Sequence, residues 1–271
     1  MGAVMCALSL VSCVSDDDSD ADTVAYTIPA TTATTVEQLT PIDVARIVHY
    51  GDSLSWESRD FFADAIGDRA EVIDRTLGGT AICDWLDGTM SADIIGNQLG
   101  AAVVQFSGNN FTDCMLDEAG EGLTGSDLEA RYRADAESVI ALFVGNNIPV
   151  VFAGSPVAGP DKPESPLNDM YRQLAEDRDG VFYVDAGAAV LDDGKWTKTL
   201  PCRPDEPCEG GTDANGVGVN IVRAPDGIHF CPTGDDAIDG VTEECAVYDS
   251  GAHRFGDAMA APVVDALDAA T

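Results

Sequence analysis

Strand-like runs alternate with helix-like stretches through the middle of the chain. The runs are Ile47–Tyr50, Glu71–Thr76, Ala102–Phe106, Pro149–Ala153 and Val181–Asp185, short and mostly rich in β-branched residues. Between them, apolar positions recur every three or four residues, the period of a helix with one buried face. Phe61, Phe62, Ala65 and Ile66 give Glu57–Arg69 that pattern. Leu128, Tyr132, Val139, Leu142 and Phe143 give it to Ser126–Asn146, which opens on Ser126-Asp-Leu-Glu129, the order of a capping box. A third helix is marked by Ser165-Pro166, a cap followed by proline at the first helical position. Strands alternating with helices predict an α/β domain whose parallel sheet is covered on both faces. In such sheets the ligand site lies beyond the carboxyl ends of the strands.

The rhythm stops after Asp185. Gly187–Pro225 is long, rich in Gly, Pro and Asp, and carries Cys202 and Cys208, so it reads as an ordered excursion. Beyond Asp226 a final helix is expected from about Ala252 to Ala266, kinked at Pro262. At the other end, Met1–Ser12 is apolar and small, too short to span a bilayer, and has the character of a secretory h-region. Leu10-Val11-Ser12-Cys13 resembles a bacterial lipobox, in which Cys13 would be lipidated; the alternative is an ordinary signal peptide. An Asp-rich, then Thr/Ala-rich stretch follows and reads as a solvated linker. The expected division is thus residues 1–13 signal or lipobox, 14–43 linker and 44–271 a single α/β domain.

Composition narrows the partners. With 48 acidic against 14 basic residues the formal charge is −34, a surface that repels nucleic acid and anionic membranes. The membrane is expected to be reached only through an N-terminal lipid anchor. Export makes the cysteines intelligible as disulfides. Leaving aside Cys6 and Cys13 in the signal, proximity pairs Cys202 with Cys208 and Cys231 with Cys245. No C-x-x-C pair occurs and there are three histidines, so no metal site is expected.

The chemistry gathers at strand ends. The first run stops at Gly51-Asp-Ser53 and feeds a helix, which places Ser53 at a helix N-terminus, where backbone N–H groups and the dipole favour developing negative charge. Gly78-Gly79-Thr80 follows the second run, Gly108-Asn109-Asn110 the third, and Asp226-Gly-Ile-His229 lies near the C-terminus. A serine hydroxyl needs a base to take its proton, and the base needs a carboxylate to hold its tautomer; His229 and Asp226 can supply both. Glycine N–H groups and an asparagine amide can hold an oxyanion. The second glycine of G-x-S-x-G is missing from Gly51-Asp-Ser-Leu-Ser55, which disfavours an α/β-hydrolase elbow.

These blocks resemble the SGNH/GDSL hydrolases. Gly51-Asp-Ser-Leu54 is similar to their first block, Gly79 (or its neighbour Gly78) to the glycine of the second, Gly108-x-Asn110 to the third and Asp226-x-x-His229 to the fifth, in that order. The resemblance implies a flavodoxin-like three-layer sandwich with a five-stranded parallel sheet, and ester hydrolysis or acyl transfer without a cofactor. It implies Ser53 as nucleophile, His229 as base and Asp226 as its orienter. The oxyanion donors would be the Ser53 and Gly79 N–H groups and the Asn110 side chain. Where the family usually has Asp after the Asn, this chain has Phe111. The stretch from Gly79 to Trp85 resembles secreted actinobacterial members, which pairs Cys83 with Cys114.

The remaining candidates read more plainly. Asp52 braces the turn, His49 is core or sits behind the catalytic residues, and His253 is solvated. Trp56 and Trp85 line an acyl or sugar pocket or pack in the core, and Lys195-Trp-Thr-Lys198 is an exposed loop or a lid. The expectation is a secreted or cell-surface serine esterase, a monomer, acting on O-acetyl or other short acyl esters of a carbohydrate or small-molecule substrate. An O-acyltransferase on cell-surface carbohydrate and a non-catalytic surface-binding module are the competing readings.

Overall fold

Strand β1 (Arg46–Gly51) lies inside an all-parallel sheet between β2 (Glu71–Thr76) and β3 (Ala101–Gln105), and the sheet continues through β4 (Val150–Ala153) to β5 (Val181–Val184). The computed structural model describes residues 46–230 and 247–269, all within the unit Val36–Thr271. The strand order β2-β1-β3-β4-β5 is the flavodoxin-like one, reversing direction next to β1. Gly51 sits level with Thr76 and Gln105, so the turns after three neighbouring strands open at one edge.

Alternation along the strands builds two cores. Val48, Tyr50, Ala102, Val104, Val150 and Phe152 face one way, toward α2 (Thr89–Gly96), α3 (Gly125–Phe143) and α4 (Pro166–Asp177). Ile47, Ala101, Val103, Val151 and Ala153 face the other, toward α1 (Ser53–Ile66) and α5 (Ser250–Asp268). Every residue of β3 and β4 is buried, as a central parallel strand with helices on both sides requires.

The helix starts differ from the periodic expectation where a cap takes over. α1 begins at Ser53 because the Asp52 carboxylate accepts the Leu54 N–H at 3.1 Å. α3 begins at Gly125: Thr124 takes the extended cap position, so Ser126 falls inside the first turn and the expected capping box does not form there. At α4 the reading agrees, with Ser165 Oγ accepting from Leu167 N at 3.3 Å and Pro166 first in the helix. α5 is longer than expected, capped by Asp249, and carries Pro262 within it.

The segment after β5 is ordered into two small hairpins, β6 (Leu191–Asp192) with β7 (Lys195–Trp196), and β8 (Thr199–Pro201) with β9 (Val219–Ile221). Cys202 and Cys208 are bonded, and between them Glu206 meets Arg254 of α5 in a buried ion pair at 2.7 Å. Cys83 is bonded to Cys114, joining the turns after β2 and β3. The signal, Cys13, the linker and the Cys231–Cys245 pair lie outside the described residues. Among the described residues, no helix is long and apolar enough to cross a membrane.

Candidate active site

The turn after β1 is built by Gly51 and Asp52. A Cβ on Gly51 would collide with the Ser55 side chain, so only glycine lets α1 start this close beneath the strand. The buried Asp52 carboxylate caps α1 and also accepts the Ser107 N–H at 2.6 Å and the Ser107 hydroxyl at 2.5 Å. Burial raises its pKa, with these hydrogen bonds partly offsetting the shift. The carboxylate therefore ties the exit of β1 to the exit of β3, as the bracing role implied.

Ser53 is the first residue of α1, and its Oγ lies 2.9 Å from His229 Nε2, across 176 residues of sequence. His229 Nδ1 lies 2.6 Å from Asp226 Oδ2. An ionised carboxylate only accepts, so Nδ1 carries the proton and Nε2 turns a lone pair toward the serine hydroxyl. The other Asp226 oxygen accepts the Ile228 and His229 N–H groups at 2.9 and 3.0 Å. Burial opposes these bonds, but together with the His229 ring they hold the Asp226 carboxyl below its ordinary range. Gly227 takes φ +78°, which the tight turn needs.

Sequence reasoning missed what supports this turn. Trp196 of β7 donates from Nε1 to the Gly227 carbonyl at 2.8 Å and lays its ring against Gly227. The segment read as an exposed loop or lid is thus a brace for the Asp226–His229 turn. Its signal, a tryptophan between two lysines, pointed to no particular partner.

The oxyanion residues are placed less simply. Gly78 is the glycine against the serine: a Cβ there would lie 3.8 Å from Ser53 Cβ. Gly79 instead sits under the Phe111 ring, which is 66% exposed. The Asn110 side chain does not stand as the block alignment implied: Nδ2 donates to Leu123 O at 2.8 Å, and the side chain packs on Gly122. Asn109 lines the cleft instead, held by Nδ2 on Thr80 O at 3.0 Å and by Tyr132 Oη on its own carbonyl. Ser107, the residue before Gly108, is the one docked on Asp52. That cleft is about 360 Å³ and lies beside the relay: Leu54 and Ile228, the neighbours of Ser53 and His229, are among its walls with Ser107, Ser155 and Lys162, while Ser53 and His229 themselves are not.

Behind the serine a buried polar chain crosses the sheet. Ser55 donates to Gln105 Oε1 at 2.7 Å, and Gln105 Nε2 donates to Ser155 Oγ at 3.0 Å. The Ser55 proton being spent, His49 Nε2 donates to Ser55 Oγ at 3.0 Å. Burial pushes His49 down to about 4, partly opposed by Asp74, so it is a neutral core residue. His253 is not solvated: it stacks on Phe61, meets Tyr248 Oη and pairs with Asp257 at 3.3 Å. Asp205, His253 and Asp257 bring potential ligand atoms within 4.8 Å of one another, but Arg203 already pairs with Asp257. Trp85 packs edge-on to Tyr50 in the core, and Trp56 stands beside Gly78 under the Arg59 guanidinium.

Solved structures similar to this chain include a GDSL-like lipase from Bacteroides thetaiotaomicron, at 16% identity and TM-score 0.46, covering 84% of this chain and 89% of that one. A catalytic mutant of an acetylxylan esterase from Geobacillus stearothermophilus matches at 11% identity and TM-score 0.44, covering 56% and 80%. No curated protein sequence matches the chain. The family model described as "Protein of unknown function (DUF459)" matches residues 46–244. The chain belongs to the DUF459 family, with the strand order and block order that the SGNH/GDSL resemblance implies.

Proposed function

We propose that this protein is a serine esterase of the SGNH/GDSL type that hydrolyses O-acetyl or other short acyl esters through an acyl-serine intermediate. The observation that carries the reading is the unbroken relay from Ser53 Oγ to His229 Nε2, and from His229 Nδ1 to Asp226 Oδ2. As Ser53 Oγ bonds to the ester carbonyl carbon, His229 Nε2 takes the hydroxyl proton. Asp226 holds the ring and stabilises the imidazolium that forms. Negative charge then develops on the former carbonyl oxygen at the N-terminus of α1, where the Ser53 N–H, the Gly78–Gly79 backbone and the Asn109 amide are the candidate donors. The intermediate collapses as the C–O bond to the alcohol breaks and His229 returns its proton to that oxygen. Water, deprotonated by His229, then releases the acid and restores Ser53. No step needs a metal or cofactor.

The two disulfides among the described residues support an oxidising, extracytoplasmic setting, secreted or lipid-anchored at Cys13. The test is hydrolysis of p-nitrophenyl acetate and butyrate by the full chain and by Ser53→Ala. The mutant should lose about 10⁴-fold or more in kcat while melting like the wild type. Unchanged turnover in Ser53→Ala would sink the mechanism.

A further inference from the structure

Glu57 and Arg223 are buried beside the His229 turn, and neither takes part in the relay. Glu57 lies one turn along α1 from Ser53, 6% exposed, and its Oε2 accepts the Phe230 N–H at 2.9 Å. Arg223 is fully buried; Nη1 donates to the Ile228 carbonyl at 3.2 Å, and the guanidinium stands 5.2 Å from the Phe230 ring centroid. Between these contacts the His229 carbonyl accepts from Ala224 N at 2.8 Å, and the His229 N–H goes to Asp226. The backbone is therefore held at four successive polar groups, from the carbonyl of Ile228 to the N–H of Phe230.

Both side chains hold more hydrogen-bonding capacity than they spend. Glu57 Oε1 and Arg223 Nε and Nη2 meet no protein partner. A well-packed apolar pair of similar volume would bring no such desolvation penalty. Departures of this kind from the most stable choice concentrate at functional sites. The geometry says what is gained. Glu57 belongs to the same helix as Ser53, so its bond to Phe230 fixes the base to the nucleophile's own helix although the two are far apart in sequence.

Resting on the esterase reading, we propose that Glu57 and Arg223 are positioning residues, which hold the His229 backbone so that Nε2 stays within reach of Ser53 Oγ through both proton transfers. Four charged groups bear on Glu57: Asp52 in the β1–α1 turn, Asp226 in the histidine turn, Asp249 at the α5 cap, and Arg223. Burial, opposed by the Phe230 hydrogen bond and reinforced by the three aspartates, pushes Glu57 up to about 8. The protonated carboxyl that burial favours still accepts through a carbonyl oxygen. Glu57→Gln reproduces that acceptor, and Glu57→Ala removes it.

The full chain and its variants would be assayed on p-nitrophenyl acetate from pH 6 to about pH 9, which spans the raised Glu57 titration, with the His229 ring protons followed by NMR. Glu57→Ala is expected to lower kcat about 10²-fold with KM little changed, the scale of a misplaced catalytic group. It should also speed solvent exchange of the proton shared by His229 and Asp226. Glu57→Gln should restore both readouts at pH 7 and lose the wild-type change in rate near pH 8. Arg223→Met should act like Glu57→Ala. If Glu57→Ala melts below the assay temperature, Glu57→Met fills the volume without an acceptor and replaces it. Wild-type kcat and wild-type His229 exchange in either acceptor-free Glu57 variant overturn the role of Glu57, and the same result in Arg223→Met overturns that of Arg223. If the wild type turns over no ester while His229 exchange still responds, the clamp stands and the esterase reading falls.

Discussion

Asn109 and Asn110 show how finely the site is set at the scale of single residues. They are adjacent and chemically identical, yet one lines the cleft and the other holds Leu123 in the next loop. Asn109→Ala should therefore lower kcat about 10²-fold, as loss of an oxyanion donor does. Asn110→Ala should leave kcat near wild type and lower the melting temperature instead. Parallel kinetics and melting curves on the two variants check this, and a larger kcat loss in Asn110→Ala would return the oxyanion role to it. Ser53, Asp226 and His229 were legible in the sequence because a turn between a strand and a helix, and a carboxylate three residues before a histidine, are local patterns. Which of two neighbouring asparagines faces the cleft depends on Ser107 docking on Asp52, 55 residues away, and no local pattern carries that.

At the scale of elements, all five parallel strands were legible to within a residue or so, since each is a short run between turn residues. The hairpins β6–β7 and β8–β9 were not. Strands of two or three residues have no room for a period, and their registers come from contacts with the rest of the domain. Trp196 owes its importance to such a contact. Trp196→Phe keeps most of the ring against Gly227 but loses the hydrogen bond to its carbonyl, a net loss of about 1 kcal/mol. If the bond serves the catalytic turn, kcat should fall severalfold in steady-state assays while the melting temperature drops only slightly. An unchanged kcat would make the brace purely structural.

Across the whole molecule, acidity is the dominant physical fact, and one buried acid works against the trend. Burial raises Glu206, but its hydrogen bonds from Arg254, the Arg203 backbone and Ser250 outweigh that and hold it down at about 2. A carboxylate with a depressed folded pKa contributes stability that is fully present above its unfolded value near 4.5 and is lost as pH falls toward about 2. Thermal melts through that window should show the wild type losing stability more steeply than Glu206→Gln, which has no such proton to take up. Parallel slopes would refute the assignment. The frame around Ser53 has a separate consequence. Asp52 caps the first turn of α1 and ties it to Ser107 beyond β3, Ser55 adds a bond to Gln105 of β3, and neither contact uses the Ser53 hydroxyl. The reacting atom is thus separable from the architecture. A descendant in which Ser53 had become alanine would keep every Asp52 contact that shapes this turn. On the proposed esterase reading, activity would thus be lost in one step that leaves the frame standing.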